Sequence, residues 1–146
     1  MKNIVTNNQQ EFSMTLPLKK KPKVLVADDD EGIRDILSII FQNAGCNVEL
    51  KTSGEDLIKN KFSIPDIFLI DKQLSGISGL DVCRHLKSRK ATQNIPVILI
   101  SASPDISSLS SKAGAEAYIE KPFDINYLLQ VVGKYIRVEN TFAAIS

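Results

Sequence analysis

The chain has 146 residues, 43% of them apolar and 24% charged, with 18 basic residues against 17 acidic and a net charge of +1. These figures fit one compact globular domain. They exclude a strongly cationic nucleic-acid binder and a disordered polyampholyte.

The first stretch, MKNIVTNNQQEF, lacks the apolar core of a secretory signal. Residues 1–20 are polar and without periodicity, and read as a flexible leader. Five lysines (Lys2, Lys19, Lys20, Lys21, Lys23) against Glu11 give residues 1–23 a charge of +4, so the remainder carries −3. The near-neutral total is a basic leader offsetting an acidic domain.

Regular patterning begins at Val24. VLVAD is a short buried strand ending in carboxylates. Ile33, Ile36, Leu37, Ile40 and Phe41 recur on one helical face, which Ala44-Gly45 closes. Either Asp30 or Glu31 caps that helix. NVELKT is a second strand and GEDLIKNK a short, weak helix. Pro65 introduces DIFLID, an apolar strand ending in Asp71. After the loop LSGISG, a helix places Leu80, Cys83 and Leu86 on one side. Its His85, the one histidine of the chain, reads as an exposed helix residue among charged neighbours. Pro96 introduces VILIS, and a serine-rich helix closed by Gly114 follows. EAYIE is the fifth strand, and Lys121-Pro122 a turn. Asp124 caps a last helix with Ile125, Leu128, Leu129, Val132, Tyr135 and Ile136 along one stripe. Residues 139–146 form a tail, so residues 21–138 are the folded domain. The longest apolar runs, IFLI and VILI, are too short to span a membrane. Cys46 and Cys83 have no metal-ligand spacing and fit a reducing cytoplasm.

Five strands alternating with five helices imply an α/β fold, a doubly wound parallel sheet with right-handed crossovers. Ligands bind such sheets beyond the carboxyl ends of the strands, near the point where strand order reverses. Four of the five strands bring a polar group to that edge: Asp28 and Asp29, Asp71, Ser101 and Lys121. With order 2-1-3-4-5 the first and third strands are neighbours, and the three carboxylates converge on one crevice. Ser101 and Lys121 then stand on its far side. Like charges that close cannot all stay ionised cheaply. A divalent cation resolves the conflict, and oxygen ligands in an open site suit Mg²⁺. A lysine and a hydroxyl facing the same ion suit a phosphoryl group, with one carboxylate as nucleophile. Taken singly, each residue has a plain structural reading: a helix cap, a turn residue, a commonplace serine. Their common placement favours a site.

In order and spacing, VLVADDDEGIRDIL, DIFLIDKQLSGISGLDVCRHLK, PVILISA and AYIEKPF resemble the receiver domain of two-component response regulators over residues 22–137. The resemblance implies the flavodoxin-like (βα)5 receiver fold. It implies that Asp71 is the phosphoacceptor, that Asp28 and Asp29 hold Mg²⁺ with Asp71, and that Gln73 offers its backbone carbonyl to the ion. It implies that Ser101 is the switch hydroxyl, Lys121 the phosphate-binding lysine and Tyr118 the switch aromatic. The expected partners are a sensor histidine kinase or histidine phosphotransfer protein and a downstream protein target. Neither nucleic acid nor membrane insertion is expected, and the chain is expected to be a monomer or weak dimer. It is not expected to be an enzyme beyond self-catalysed phosphoryl transfer and autodephosphorylation.

Three features depart from the usual receiver pattern. Ser75 stands where most members have proline, the stretch from Ser101 to Lys121 is slightly short, and its helix is serine-rich. Gln73 and Ser103 occupy positions that vary in the family and tune phosphoryl loss. The length leaves no room for an effector domain, so a stand-alone receiver is the leading expectation. A receiver-like binding module that works without phosphorylation is the alternative. An aspartate-nucleophile phosphatase is disfavoured by Gln73, where such enzymes carry a second Asp. A flavodoxin-like cofactor binder is disfavoured by acidic residues in its phosphate loop.

Overall fold

The computed structural model describes residues 20–139. The expected tail beyond residue 139, and all of the expected leader but its last residue, lie outside the described residues. Five strands form one parallel sheet: β1 (Lys23–Ala27), β2 (Asn47–Lys51), β3 (Ile67–Asp71), β4 (Val97–Ser101) and β5 (Ala117–Glu120). Their order is β2-β1-β3-β4-β5. Five helices alternate with them: α1 (Glu31–Asn43), α2 (Glu55–Ile58), α3 (Gly79–Ser88), α4 (Ile106–Ala113) and α5 (Ile125–Val132).

The central strands β3 and β4 are buried at every position. Their unbroken apolar runs suit a sheet covered on both faces. Alternate residues serve opposite layers. Val24, Val26, Ile67, Leu69, Ile98, Ile100 and Ile119 pack against Leu37, Ile40 and Phe41 of α1 and the apolar side of α5. Leu25, Ala27, Phe68, Ile70, Val97 and Leu99 pack against Leu57 of α2, Val82, Cys83 and Leu86 of α3, and Ile106 of α4. Each fully buried aliphatic side chain stabilises the fold by roughly 1.5–3 kcal/mol. No helix among the described residues is long and apolar enough to cross a membrane.

Local chemistry sets the helix ends. Asp30 caps α1 by accepting the Ile33 N–H, and Asp124 caps α5 by accepting from Asn126 and Tyr127. Ser78 does the same for α3 through the Leu80 N–H. Gly45 and Gly114 leave α1 and α4 with φ of +85° and +87°, a region that carries a steric cost for residues with a Cβ.

Two local expectations change. The stripe expected to carry α5 through Ile136 outlasts the helix, which ends at Val132. Tyr135 and Ile136 still pack on the core, from tight turns in which Lys134 and Tyr135 bond back three residues. Apolar spacing reports which way residues face, and a turn can satisfy it as well as a helix. His85 is half-buried rather than exposed. Its Nε2 lies 3.1 Å from Asn60 Oδ1, and Asn60 has a left-handed backbone (φ 61°) at the end of α2.

Candidate functional site

The parallel ladder runs on past several strand ends and sets the site's geometry. The Asp28 N–H donates to Lys51 O, the Lys72 N–H to Ile100 O and the Lys121 N–H to Ser101 O, at 3.1, 2.8 and 2.9 Å. Asp28, Lys72 and Lys121, just beyond the strands, are therefore still tied to the sheet. Asp28, Asp71 and Lys121 share the alternation parity of the α1/α5 layer. Ser101 and Tyr118 share that of Leu99 and the α3/α4 layer.

Asp28, Asp29 and Asp71 each bring a carboxylate oxygen within 4.8 Å of the others. Asp28 and Asp71 are buried, at 1% and 6% exposure, and Asp29 is open to solvent. Lys121 Nζ donates to Asp71 Oδ2 at 2.9 Å and stands 3.4 Å from Asp28 Oδ2. The remaining oxygens of the buried pair accept local backbone donors. Asp28 Oδ1 takes the Asp30 N–H at 2.9 Å, and Asp71 Oδ1 the Gln73 N–H at 3.0 Å. Asp29 Oδ2 accepts the hydroxyl of Ser75 at 3.0 Å. Asp30 turns to the α1 cap and stays out of the cluster, as expected.

Electrostatics follow from this packing. Burial pushes the Asp28 carboxyl above its usual range, and the negative charge of Asp71 adds to that push. The Asp30 N–H and the Lys121 ammonium oppose it without cancelling it. For Lys121, burial disfavours the charge, but its bonds to Asp71 and Asp28 outweigh that and hold the ammonium above the ordinary lysine value. One ammonium thus faces two buried carboxylates plus a third at the rim, and the crevice keeps an excess of negative charge. Every candidate ligand is a hard oxygen, the donor set that fits Mg²⁺ rather than a thiophilic metal.

Ser101 is 1% exposed, and its hydroxyl accepts the Ser103 N–H at 2.9 Å. Tyr118, paired with Leu99 across β4 and β5, is half-buried against the α3/α4 layer. Gln73 meets Asp71 through its N–H, whereas the sequence expectation concerned its carbonyl.

Three residues escaped the sequence reading. Gly79 opens α3 hard against the β3 end. Its N–H donates to Lys72 O at 2.8 Å, and a Cβ there would lie 2.2 Å from the Asp71 carbonyl oxygen. Arg34 donates to the Asp28 carbonyl at 2.8 Å and ties α1 to the site. Lys72 bonds Ser103 Oγ at 3.1 Å, joining the β3–α3 loop to the β4–α4 loop. A lysine beside a carboxylate gives no sequence signal for a contact 31 residues away.

The chain belongs to the response regulator receiver domain family, whose sequence model matches residues 24–133. Over 122 residues it is 32% identical to the DNA-binding dual master transcriptional regulator RpaA of a Synechocystis strain. That match covers 80% of this chain and 49% of RpaA, so the chain spans about half the length of that relative. Among solved structures it is similar to the BeF3-activated receiver domain of DrrB from Thermotoga maritima. The TM-score is 0.71 at 30% identity, covering 80% of this chain and 97% of the other. It also shares its fold with the receiver domain of the Pseudomonas aeruginosa sensor histidine kinase PA1611. There the TM-score is 0.73 at 18% identity, covering 80% and 98% of the two chains.

Proposed function

We propose that this receiver takes a phosphoryl group onto Asp71 with Mg²⁺ bound and passes its signal on through protein contacts or onward phosphotransfer. The observation that carries this reading is the junction of Lys121 with Asp71 and Asp28, at 2.9 and 3.4 Å, inside a three-carboxylate cluster. Asp28, Asp29 and Asp71, with the Gln73 carbonyl, would hold the ion. Bound there, it would offset the negative charge that repels a phosphoryl donor.

The chain's own groups divide the remaining work. An Asp71 oxygen attacks phosphorus as the donor's phosphorus–nitrogen bond breaks, and the donor imidazole leaves with the electron pair. Lys121 already contacts Asp71 and is placed to pair with a phosphoryl oxygen. Ser101 gives up the Ser103 N–H and turns its hydroxyl to another oxygen, and Tyr118 moves with it. The donor is a sensor histidine kinase or phosphotransfer protein. An apolar groove of about 440 Å³ beside Lys121, lined by Ile33, Ile36, Ile40, Phe123 and Ile125, supports docking of such a partner. Ile36 in this groove is 51% exposed, and Ile39, also on α1, is 59% exposed, more apolar surface than a partnerless α1 needs. The chain's catalysis is limited to its own phosphorylation and slow hydrolysis, and its compartment is the cytoplasm. The receiver of PA1611 was solved with a magnesium ion coordinated in its active-site cleft, which supports the choice of metal.

Intact-mass measurement with MgCl₂ and a small acyl phosphate tests the reading. One added phosphoryl group is expected, absent in Asp71→Asn and in EDTA. No mass gain, or a gain that survives Asp71→Asn, overturns it in favour of a binding module that works without phosphorylation.

A further inference from the structure

Asp29 differs from its two companions. Asp28 and Asp71 are buried, share Lys121, and each anchor one oxygen on a backbone N–H. Asp29 is exposed, and among the described residues its carboxylate hydrogen bond comes from the Ser75 hydroxyl, 46 residues on. An exposed carboxylate beside two others is pushed outward by their charge and gains rotamer entropy by leaving. Something must hold it over the crevice.

Ser75 is built to do so because its own backbone is fixed. It pairs with Ser53 in an isolated parallel bridge between the β3–α3 and β2–α2 loops. Its carbonyl accepts the Ile77 N–H at 3.0 Å. The preceding Leu74 is 8% exposed and anchored in the α3 layer. The hydroxyl therefore reaches Asp29 from a stationary point. Proline, the residue that the family resemblance leads one to expect here, would stiffen the loop but supply no donor.

We propose that Ser75 is a positioning residue for the divalent cation, fixing Asp29 through Oδ2 and leaving Oδ1 to the ion. The inference rests on the cluster being a cation site. Groups behind metal ligands commonly change affinity by about 10- to 100-fold when removed. This bond is solvent-exposed, which sets the expectation below that range, at about 3- to 10-fold.

The test is a double-mutant cycle on cation affinity, read by calorimetry with Mg²⁺ and by paramagnetic resonance with Mn²⁺. Ser75→Ala is expected to weaken both ions by that factor, and Ser75→Thr to restore them. Asp29→Ala is expected to weaken them further, and the double variant to be no weaker than Asp29→Ala alone. Urea midpoints of Ser75→Ala without cation are expected to match the wild type. Unchanged affinity in Ser75→Ala alongside a loss in Asp29→Ala overturns the proposal, as do additive losses. A loss that merely follows lower cation-free stability overturns it too. If neither Asp29→Ala nor Asp28→Asn alters affinity, the cation reading itself fails and takes the proposal with it.

Discussion

Lys121 Nζ lies 2.9 Å from Asp71 Oδ2 across fifty residues of sequence, with Asp28 Oδ2 at 3.4 Å from the same ammonium. Deleting this lysine leaves two buried carboxylates facing each other with no counter-charge. Lys121→Met is expected to lower unfolding free energy in EDTA by ~1–3 kcal/mol. MgCl₂ is expected to recover part of that loss, because an ion bound at the cluster would neutralise the same carboxylates. Urea denaturation with and without MgCl₂ measures both quantities. A Lys121→Met variant as stable as the wild type in EDTA would show that the ammonium does not balance the cluster.

Asp28 and Asp30 stand two residues apart and are expected to respond to mutation with opposite signs. Asp28 is buried, with its carboxyl raised by burial and by Asp71. Asp28→Asn removes that penalty and still offers an oxygen to the Asp30 N–H. It is expected to raise cation-free stability by ~0.5–2 kcal/mol while weakening Mg²⁺ binding. Asp30 accepts the Ile33 N–H as the α1 cap. Asp30→Ala is expected to cost ~1 kcal/mol and to leave Mg²⁺ affinity within error. Equal and like-signed effects would contradict the division between cluster and cap.

That division was partly legible in the residues themselves. The strand run ending in Asp28, Asp71 at the end of β3 and the lysine after β5 are all periodic-pattern boundaries, and periodicity is what a sequence displays best. In a parallel sheet of order 2-1-3-4-5, the one expected from the family resemblance and the one observed, these groups come together. The links between loops were not legible. Ser75 to Asp29 and Lys72 to Ser103 join residues 46 and 31 apart through single side chains. No spacing rule encodes such contacts, because each depends on where two loops end up in space. Gly79 was passed over for a related reason: a glycine in LSGISG reads as a turn former, whereas its use is the close approach to Asp71. The exposed reading of His85 failed because Asn60 lies on a different helix end, and its left-handed backbone gave no warning.

The two cysteines set a pH window for stability. Burial raises both thiols, and Cys83 is pushed to about 11, with Lys87 partly countering the effect. An unfolded thiol titrates near 8.5, so the folded state holds its proton longer. Cys83 therefore contributes stability that is fully present below pH ~8.5 and is lost as pH rises through about 11. A change of roughly 3 kcal/mol is expected across that window. Thiol labelling at pH 8 is expected to be slow in native protein and to track the unfolded fraction as urea is added. Rapid native labelling of Cys83 would show that the α3 layer opens more readily than its burial implies.

Gly79 offers the sharpest test that the position of Asp71 depends on backbone packing. A methyl group at this position would meet the Asp71 carbonyl oxygen at 2.2 Å and the Lys72 Cα at 2.8 Å. Neither neighbour can yield easily: Asp71 is in β3, paired with Ile100, and the Lys72 N–H is bonded to Ile100 O. Helix propensity alone would make Gly→Ala favourable by up to ~1 kcal/mol at a helical position. Overpacking against a fixed backbone works the other way and is the larger effect, so Gly79→Ala is expected to cost ~2–4 kcal/mol overall. The part of that cost felt at the site is the loss of the Gly79 N–H bond to Lys72 O, which shifts the loop carrying Gln73 and Ser75. Mg²⁺ affinity is expected to fall with stability in this variant, unlike in Ser75→Ala, where only affinity changes. A neutral or stabilised Gly79→Ala would mean that α3 can draw back from β3 at little cost, and that the loop beneath Asp71 is softer than its hydrogen bonds suggest.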